Sequence, residues 1–438
     1  MSSQVVPAIL ATARRERTSI AEHRWAATAI GVSVWLVPVL RPGLGPVRPA
    51  DFAIVGASAV VFLWLGWSRV PVRAPFAAST TLLCIAGLTA ALASGHAVVG
   101  IVAVTQDLVL LGWCLAIANV CRTPETLGIV LKSCAWSATV AASIVIVGGV
   151  TGIAALSGQE IEGGRASLAF DNPNQAGAYF ACAFFVILSS GPILPRRRKI
   201  VMAIVVAVGV LLAASNAAIG GVLLGLLLVA ILSIARRRGI VTAIAAASIA
   251  AFVVGGATVA FVRLDVAAAA QESDIRLLRN TLGRGEESAG DRLGRWESLG
   301  DAYLRYPITG YGAAATKAVL DEGPFNDAKG AHNDYAAALA ERGLLGSIAL
   351  ILLIGAVVHR MATFAIRPLA PGYAAVMGAP QFLAGALLVL AISSLTHEVL
   401  HFRNVWVLLG LVAAVSLWAR PGVSTETTAD GFEGRARP

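Results

Sequence analysis

The chain has 438 residues, 57% of them hydrophobic and only 13% charged, with a formal net charge of +9. A soluble globule of that composition would have too little polar surface to cover its core, so composition excludes a water-soluble enzyme and indicates an integral membrane protein. The apolar runs are long enough to cross a hydrocarbon core of about 30 Å, and their unbroken hydrophobicity predicts helices instead of a barrel of alternating strands.

In chain order, residues 1–25 form a basic cytoplasmic segment carrying Arg14, Arg15, Arg17 and Arg24. No small-residue cleavage site follows the first apolar run, so a retained helix is expected there. Twelve spans are predicted near 26–40, 52–68, 75–94, 97–120, 128–156, 177–194, 200–214, 218–235, 240–262, 345–366, 379–396 and 402–419. The ninth and tenth are separated by an extracytoplasmic loop, 263–344, and residues 420–438 read as a disordered cytoplasmic tail. The expected fold is therefore all-α and polytopic. With the N-terminus inside, Arg69, Arg73, Arg122, Lys132, Arg196–Lys199, Arg236–Arg238, Arg360, Arg367 and Arg420 fall in the cytoplasm, where short loops hold the positive excess. The short outer loops keep only Arg41, Arg48, Arg165 and Arg403. Net charge thus reports topology, and no nucleic-acid partner is expected.

Cys84, Cys114, Cys121, Cys134 and Cys182 fall in or beside spans without a C-x-x-C pair, which argues against disulfides and thiolate metal sites. No G-x-x-x-x-G-K-[ST] phosphate loop occurs. Gln106-Asp107 falls inside the fourth span, where a carboxylate is costly. It fits a transporter's proton carrier, or a protonated group bonded to a neighbouring helix.

Four outer segments are expected to converge: residues 157–176, the Ser215-Asn216 turn, the large loop, and His397 to Arg403. In the first, Gly163-Gly164-Arg165 leads into Asn172-Pro173-Asn174, a turn offering backbone amides and a guanidinium to a phosphate, or a positive anchor to lipid headgroups. In the large loop, Asp291 to Tyr306 spaces Leu293, Trp296, Leu299, Tyr303 and Tyr306 as one face of an amphipathic helix, expected to lie on the membrane surface. Arg292 and Arg295 share its other face and can reach a single anion, although a solvated charged face has the same spacing. Pro307 ends that helix and Gly310-Tyr311-Gly312 makes a tight turn. Asp321-Glu322 reads as a surface pair more than a ligand pair, and no metal site is predicted.

His332 precedes a short predicted helix that Asn333 or Asp334 caps and Gly343 closes in the left-handed conformation. The positive end of the helix dipole favours a neutral imidazole, the form a general base needs. The same residue pattern also fits a solvated loop histidine.

Taken together these residues resemble the O-antigen ligase and polymerase superfamily. Its ligase branch carries His, then Asn, Ser or Gln, nine residues, Gly, two residues and Gly, Thr or Tyr, matched by His332-Asn333, Gly343 and Gly346. Also similar are Arg165 with Asn172-Pro173-Asn174, and Arg295-Trp296 with Pro307 and Gly310-Tyr311-Gly312. The resemblance implies a GT-C-like enzyme of the bacterial cytoplasmic membrane, used in surface polysaccharide assembly. It would transfer a glycan, with inversion and without metal or cofactor, from a polyprenyl (undecaprenyl) diphosphate carrier to a hydroxyl of a glycan or lipid-glycan acceptor on the outer face. It further implies His332 as general base, Arg295, Arg165 and Arg292 as diphosphate ligands, and Asn333, Asn172, Asn174 and Tyr311 as substrate-positioning residues. One departure stands out: relatives often have Ser-Arg-Gly where this chain has Ser215-Asn216-Ala217. Competing expectations are a secondary transporter or lipid-linked sugar flippase, and a non-catalytic partner in polysaccharide assembly. These motifs do not separate ligase from polymerase.

Overall fold

The computed structural model describes residues 23–39, 48–158, 165–168, 170, 172–316 and 331–421, with the side chains of 262, 276, 284–293 and 295 outside that description. Among the described residues there are helices and no strands. The long helices are α1 (23–35), α2 (Pro49–Trp67), α3 (Ala77–Ala93), α4 (Ala97–Val120), α5 (Pro124–Thr151), α6 (Pro173–Ser189), α7 (Arg196–Ala213), α8 (Asn216–Arg238), α9 (Ile240–Arg263), α10 (Gly285–Arg305), α11 (Asp334–Ala365), α12 (Phe382–Ser394) and α13 (Arg403–Trp418).

Each predicted apolar segment is helical over most of its length. Among the described residues, six helices are long and apolar enough to cross a membrane: α2, α4, α5, α8, α9 and α11; α3, α12 and α13 are shorter apolar helices. Boundaries differ from expectation where local chemistry intervenes. Helix α5 stops at Thr151, ahead of the predicted 156, because Gly152 turns left-handed at φ 71°. It starts early, at Pro124, because Thr123 caps it by accepting from the Thr126 amide.

Helix α11 runs along α3 and α13 along α4, while α12 lies between α6 and α8. Gly225 and Gly385 let α8 and α12 close on the Phe185 ring, where any Cβ would collide. Trp113 and Trp406 are fully buried, their indole N–H groups donating to Ser33 Oγ (2.9 Å) and Leu400 O (2.7 Å). Phe252 on α9 and Val150 on α5 are each 83% exposed, as suits faces turned to lipid.

Hydrogen bonds sort the helix ends into two layers. In one, Arg122 donates to Pro71 O (2.5 Å), Arg360 to Pro75 O (2.7 Å), Trp418 to Ala118 O (2.8 Å) and Lys199 to Ser190 O (3.0 Å). The other collects Arg165, Asn216, His332 and Arg403. There Asn216 Nδ2 donates to Thr281 O (3.0 Å) and Arg403 pairs with Asp51 at 2.6 Å.

Candidate functional site

His332 stands at φ 51°, a left-handed conformation uncommon outside glycine, directly before the cap of α11. The cap is Asn333, whose side-chain oxygen accepts from the amides of Tyr335 (2.9 Å) and Ala336 (3.1 Å). Asp334 follows. Its carboxylate accepts from the amides of Val399 (2.8 Å) and Leu400 (3.2 Å), tying the helix start to the segment between α12 and α13. From that segment comes His397, whose Nδ1 lies 3.3 Å from His332 Nδ1, with the ring planes 79° apart.

Behind the histidines is a cleft lined by Asp107, Asp334, Glu341, Arg342, Glu398 and His401. Arg342 Nη2 meets Asp107 Oδ2 at 2.6 Å with both side chains buried, so Asp107 is half of an ion pair joining α4 to α11. This replaces the expected protonated or proton-carrying carboxyl: its neighbour is a guanidinium. His401 Nδ1 sits 3.6 Å from Asp107 Oδ1, outside hydrogen-bond range. Glu341 is clasped by the amides of Ala314 (3.0 Å) and Thr316 (3.3 Å) and by the Thr316 hydroxyl. Glu398 Oε1 is buried with no hydrogen-bond partner among the described residues. Its acid is pushed up to about 7, first by burial and then by the Glu341 carboxylate. The folded protein therefore holds this proton through a pH range where the unfolded chain has released it, and stability falls as pH rises through that range.

Gly343 closes the short first helix of α11 with the expected positive φ, 60°, but with ψ −158° in place of the left-handed value, and a second helix runs on from this kink to Ala365. The turn 307–312 is inserted at this kink: Leu344 N donates to Pro307 O (2.8 Å), Tyr311 N to Ala340 O (2.8 Å) and Gly312 N to Glu341 O (3.1 Å). A Cβ at Gly343 would collide with Ile308, at Gly310 with Glu341, and at Gly346 with Arg342. Gly343 is thus the imprint of this turn on the helix that follows His332, whereas Gly346 makes room for the Arg342 side chain of the same helix. The Tyr311 ring in the turn lies tilted beside His96 (5.9 Å between centroids) and edge-on to Tyr306 (5.7 Å).

Helix α10 is longer than predicted, and its Trp296 and Leu299 pack on Ala331, Ala336, Ala337 and Ala340. The small alanine side chains make room for the indole. Arg292 and Arg295 therefore ride on a helix docked against the start of α11; their side chains lie outside the described residues. So do Gly163, Gly164, Asp321 and Glu322, the N-terminal segment before His23 and the tail after Pro421.

Arg165, Asn172 and Asn174 form a second group. Arg165 is buried and donates to Ala213 O (3.2 Å) and Asn174 Oδ1 (2.7 Å), while Asn172 caps α6 by accepting from the Gln175 amide (2.8 Å). Asn216, where relatives often have arginine, ties α8 to Thr281.

Residues 201–351, about a third of the chain, match the family model described as O-antigen ligase. This match supports membership of the O-antigen ligase superfamily. The matched stretch holds His332, Asn333, Gly343, Gly346, Arg292, Arg295 and Tyr311, whereas Arg165, Asn172 and Asn174 fall before it. No curated protein matches the chain. With its apolar helices, the match points to a multi-pass O-antigen ligase-type membrane enzyme, with a glycosyltransferase-type reaction on lipid-linked and acceptor glycans.

Sequence reasoning passed over Arg342, Glu341 and Glu398. Glu341-Arg342 beside Gly343 was a usable signal, since two adjacent charges entering an apolar run need partners. His397-Glu398-Val399-Leu400-His401 has the spacing of a helical zinc site. Here that backbone is turn, not helix, and its two imidazoles face His332 and Asp107 separately.

Proposed function

We propose that this protein is a GT-C-like glycosyltransferase that moves a glycan from a polyprenyl diphosphate carrier to a hydroxyl of an acceptor glycan, on the outer face of a bacterial cytoplasmic membrane. The observation that carries the reading is His332 held left-handed two residues before Asp334, which lines a charged cleft, since strain of that kind persists where the surroundings enforce it for a purpose. His332 removes the acceptor's proton as its oxygen attacks the anomeric carbon. The departing lipid diphosphate needs positive charge, which Arg295, Arg292 and Arg165 supply as guanidinium groups without a metal. Asn333, Asn172, Asn174 and Tyr311 position the substrates, Asn333 and Asn172 also capping the helices they open. Pairing of Asp107 with Arg342 weakens the case for a proton-coupled transporter.

The test is transfer by purified protein in detergent from a polyprenyl-diphosphate oligosaccharide, with EDTA present. Wild type should transfer, His332→Ala should lose on the order of 10²–10⁴ in kcat, and Arg295→Ala should mainly weaken donor binding. Undiminished transfer by His332→Ala would remove the base. Carrier binding without transfer to any acceptor would favour a flippase.

A further inference from the structure

Resting on His332 as the base, we propose that His397 is its positioning residue and proton partner, the two imidazoles acting as one relay through their facing Nδ1 atoms. At 3.3 Å one Nδ1 must carry the hydrogen and the other the lone pair. For His332 to accept a proton at Nε2, its own hydrogen sits on Nδ1, so His397 presents a bare Nδ1 and keeps its hydrogen on Nε2. The contact thereby selects the tautomer the reaction needs and aims the Nε2 edge of His332 away from His397.

The transfer step then balances. The acceptor oxygen bonds to the anomeric carbon as the bond from that carbon to the diphosphate oxygen breaks, and the electron pair of that bond leaves with the diphosphate. The hydroxyl proton goes to His332 Nε2, the Nδ1 hydrogen of His332 goes to His397 Nδ1, and the imidazolium on His397 later gives its proton to water.

Two features of the fold serve this pairing. Asp334, two residues from His332, grips the amides of Val399 and Leu400, so the backbone carrying His397 cannot drift from the backbone carrying His332. His397 is itself buried, and its amide is fixed to Ser393 O at 2.8 Å. The charged groups of the adjoining cleft are Asp334, Glu341 and Arg342 from α11, Glu398 and His401 from the segment bearing His397, and Asp107 from α4. Carboxylates outnumber cations among them, which suits a site that must hold an imidazolium between turnovers.

The experiment is the pH profile of glycan transfer, with kcat and donor KM determined for wild type, His332→Ala, His397→Phe and His397→Asn, each checked for monodispersity and donor binding. His397→Phe should lower kcat at least ~10-fold with little change in KM. Its acid limb should move to lower pH, because His332 loses the neutral acceptor that stabilises its protonated form. His397→Asn keeps an acceptor near the Nδ1 position but takes no proton, so the limb should return towards wild type while kcat stays reduced. Wild-type kcat and limb in His397→Phe, beside an inactive His332→Ala, would overturn the relay and leave the base standing. Should His397→Phe fail to fold, unreduced kcat in His397→Asn would overturn the relay equally. Full activity of His332→Ala would instead overturn the base reading.

Discussion

Replacing Gly343 by alanine tests whether this glycine of the His332 motif exists to receive the turn 307–312. At φ 60° and ψ −158° the backbone occupies a region essentially reserved for glycine, where a side chain costs about 1–3 kcal/mol. The added Cβ would also run into the Ile308 carbonyl. Relief requires the turn to withdraw, which breaks the bonds Leu344 N to Pro307 O, Tyr311 N to Ala340 O and Gly312 N to Glu341 O, at about 1 kcal/mol each. Strain plus collision and the lost bonds are of similar size, so Gly343→Ala should destabilise by about 2–4 kcal/mol whichever route the protein takes. Gly355 in the same helix is the control: no described atom lies within 4 Å of the place an added methyl would take, and alanine there should be neutral or stabilising by up to ~1 kcal/mol. Thermal unfolding of the two variants in detergent, followed by glycan transfer, makes the comparison. A Gly343→Ala protein with the melting temperature of Gly355→Ala would refute the account.

The Asp107–Arg342 pair, with side chains 5% and 7% exposed, should lose about 3–5 kcal/mol when either partner alone is replaced, as in Asp107→Leu or Arg342→Met. The double variant should lose much less than the sum in denaturant unfolding, and additivity within ~0.5 kcal/mol would show that the pair contributes nothing. Glu398→Gln should match wild type in acid and become the more stable protein as pH rises towards about 7, because wild type then bears the cost of a buried carboxylate. Parallel curves of melting temperature against pH for the two proteins would contradict this.

The helices were legible because an apolar run of adequate length has one outcome in a membrane, and Asn333 was legible as a cap because capping is decided within three residues. The break at Gly343 was legible for the same local reason, but what fills it was not: the turn around Ile308 arrives there from elsewhere in the chain. Likewise Trp296 and Leu299 declare an amphipathic face, but whether it meets lipid or protein depends on the alanines at 331, 336, 337 and 340. Within the site, Arg165 and Asn174 are nine residues apart and their contact could be guessed from one turn. Asp107 and Arg342 are separated by 235 residues, and His332 and His397 by 65, so their partners follow from how α4, α11 and α12 pack, which no local pattern encodes.

The buried charges around His332 have a division of labour. Asp107 fixes α4 to α11 through Arg342, Asp334 holds the backbone at Val399 and Leu400, and Glu341 holds the backbone at Ala314 and Thr316. Each carboxylate is compensated by donors on a different element, so together they fix the first turns of α11 from three directions. That constraint is needed because α11 is kinked at Gly343, and a segment joined to its span only through a glycine would otherwise swing. Glu398 is the least compensated: the Ala331 backbone donates to its carboxyl, but Oε1 engages nothing among the described residues, and burial raises the energy of the ionised form. A fold optimised for stability alone would place an apolar or amide side chain there. Its place one residue beyond His397 makes Glu398→Gln the variant that measures what this burial costs the fold.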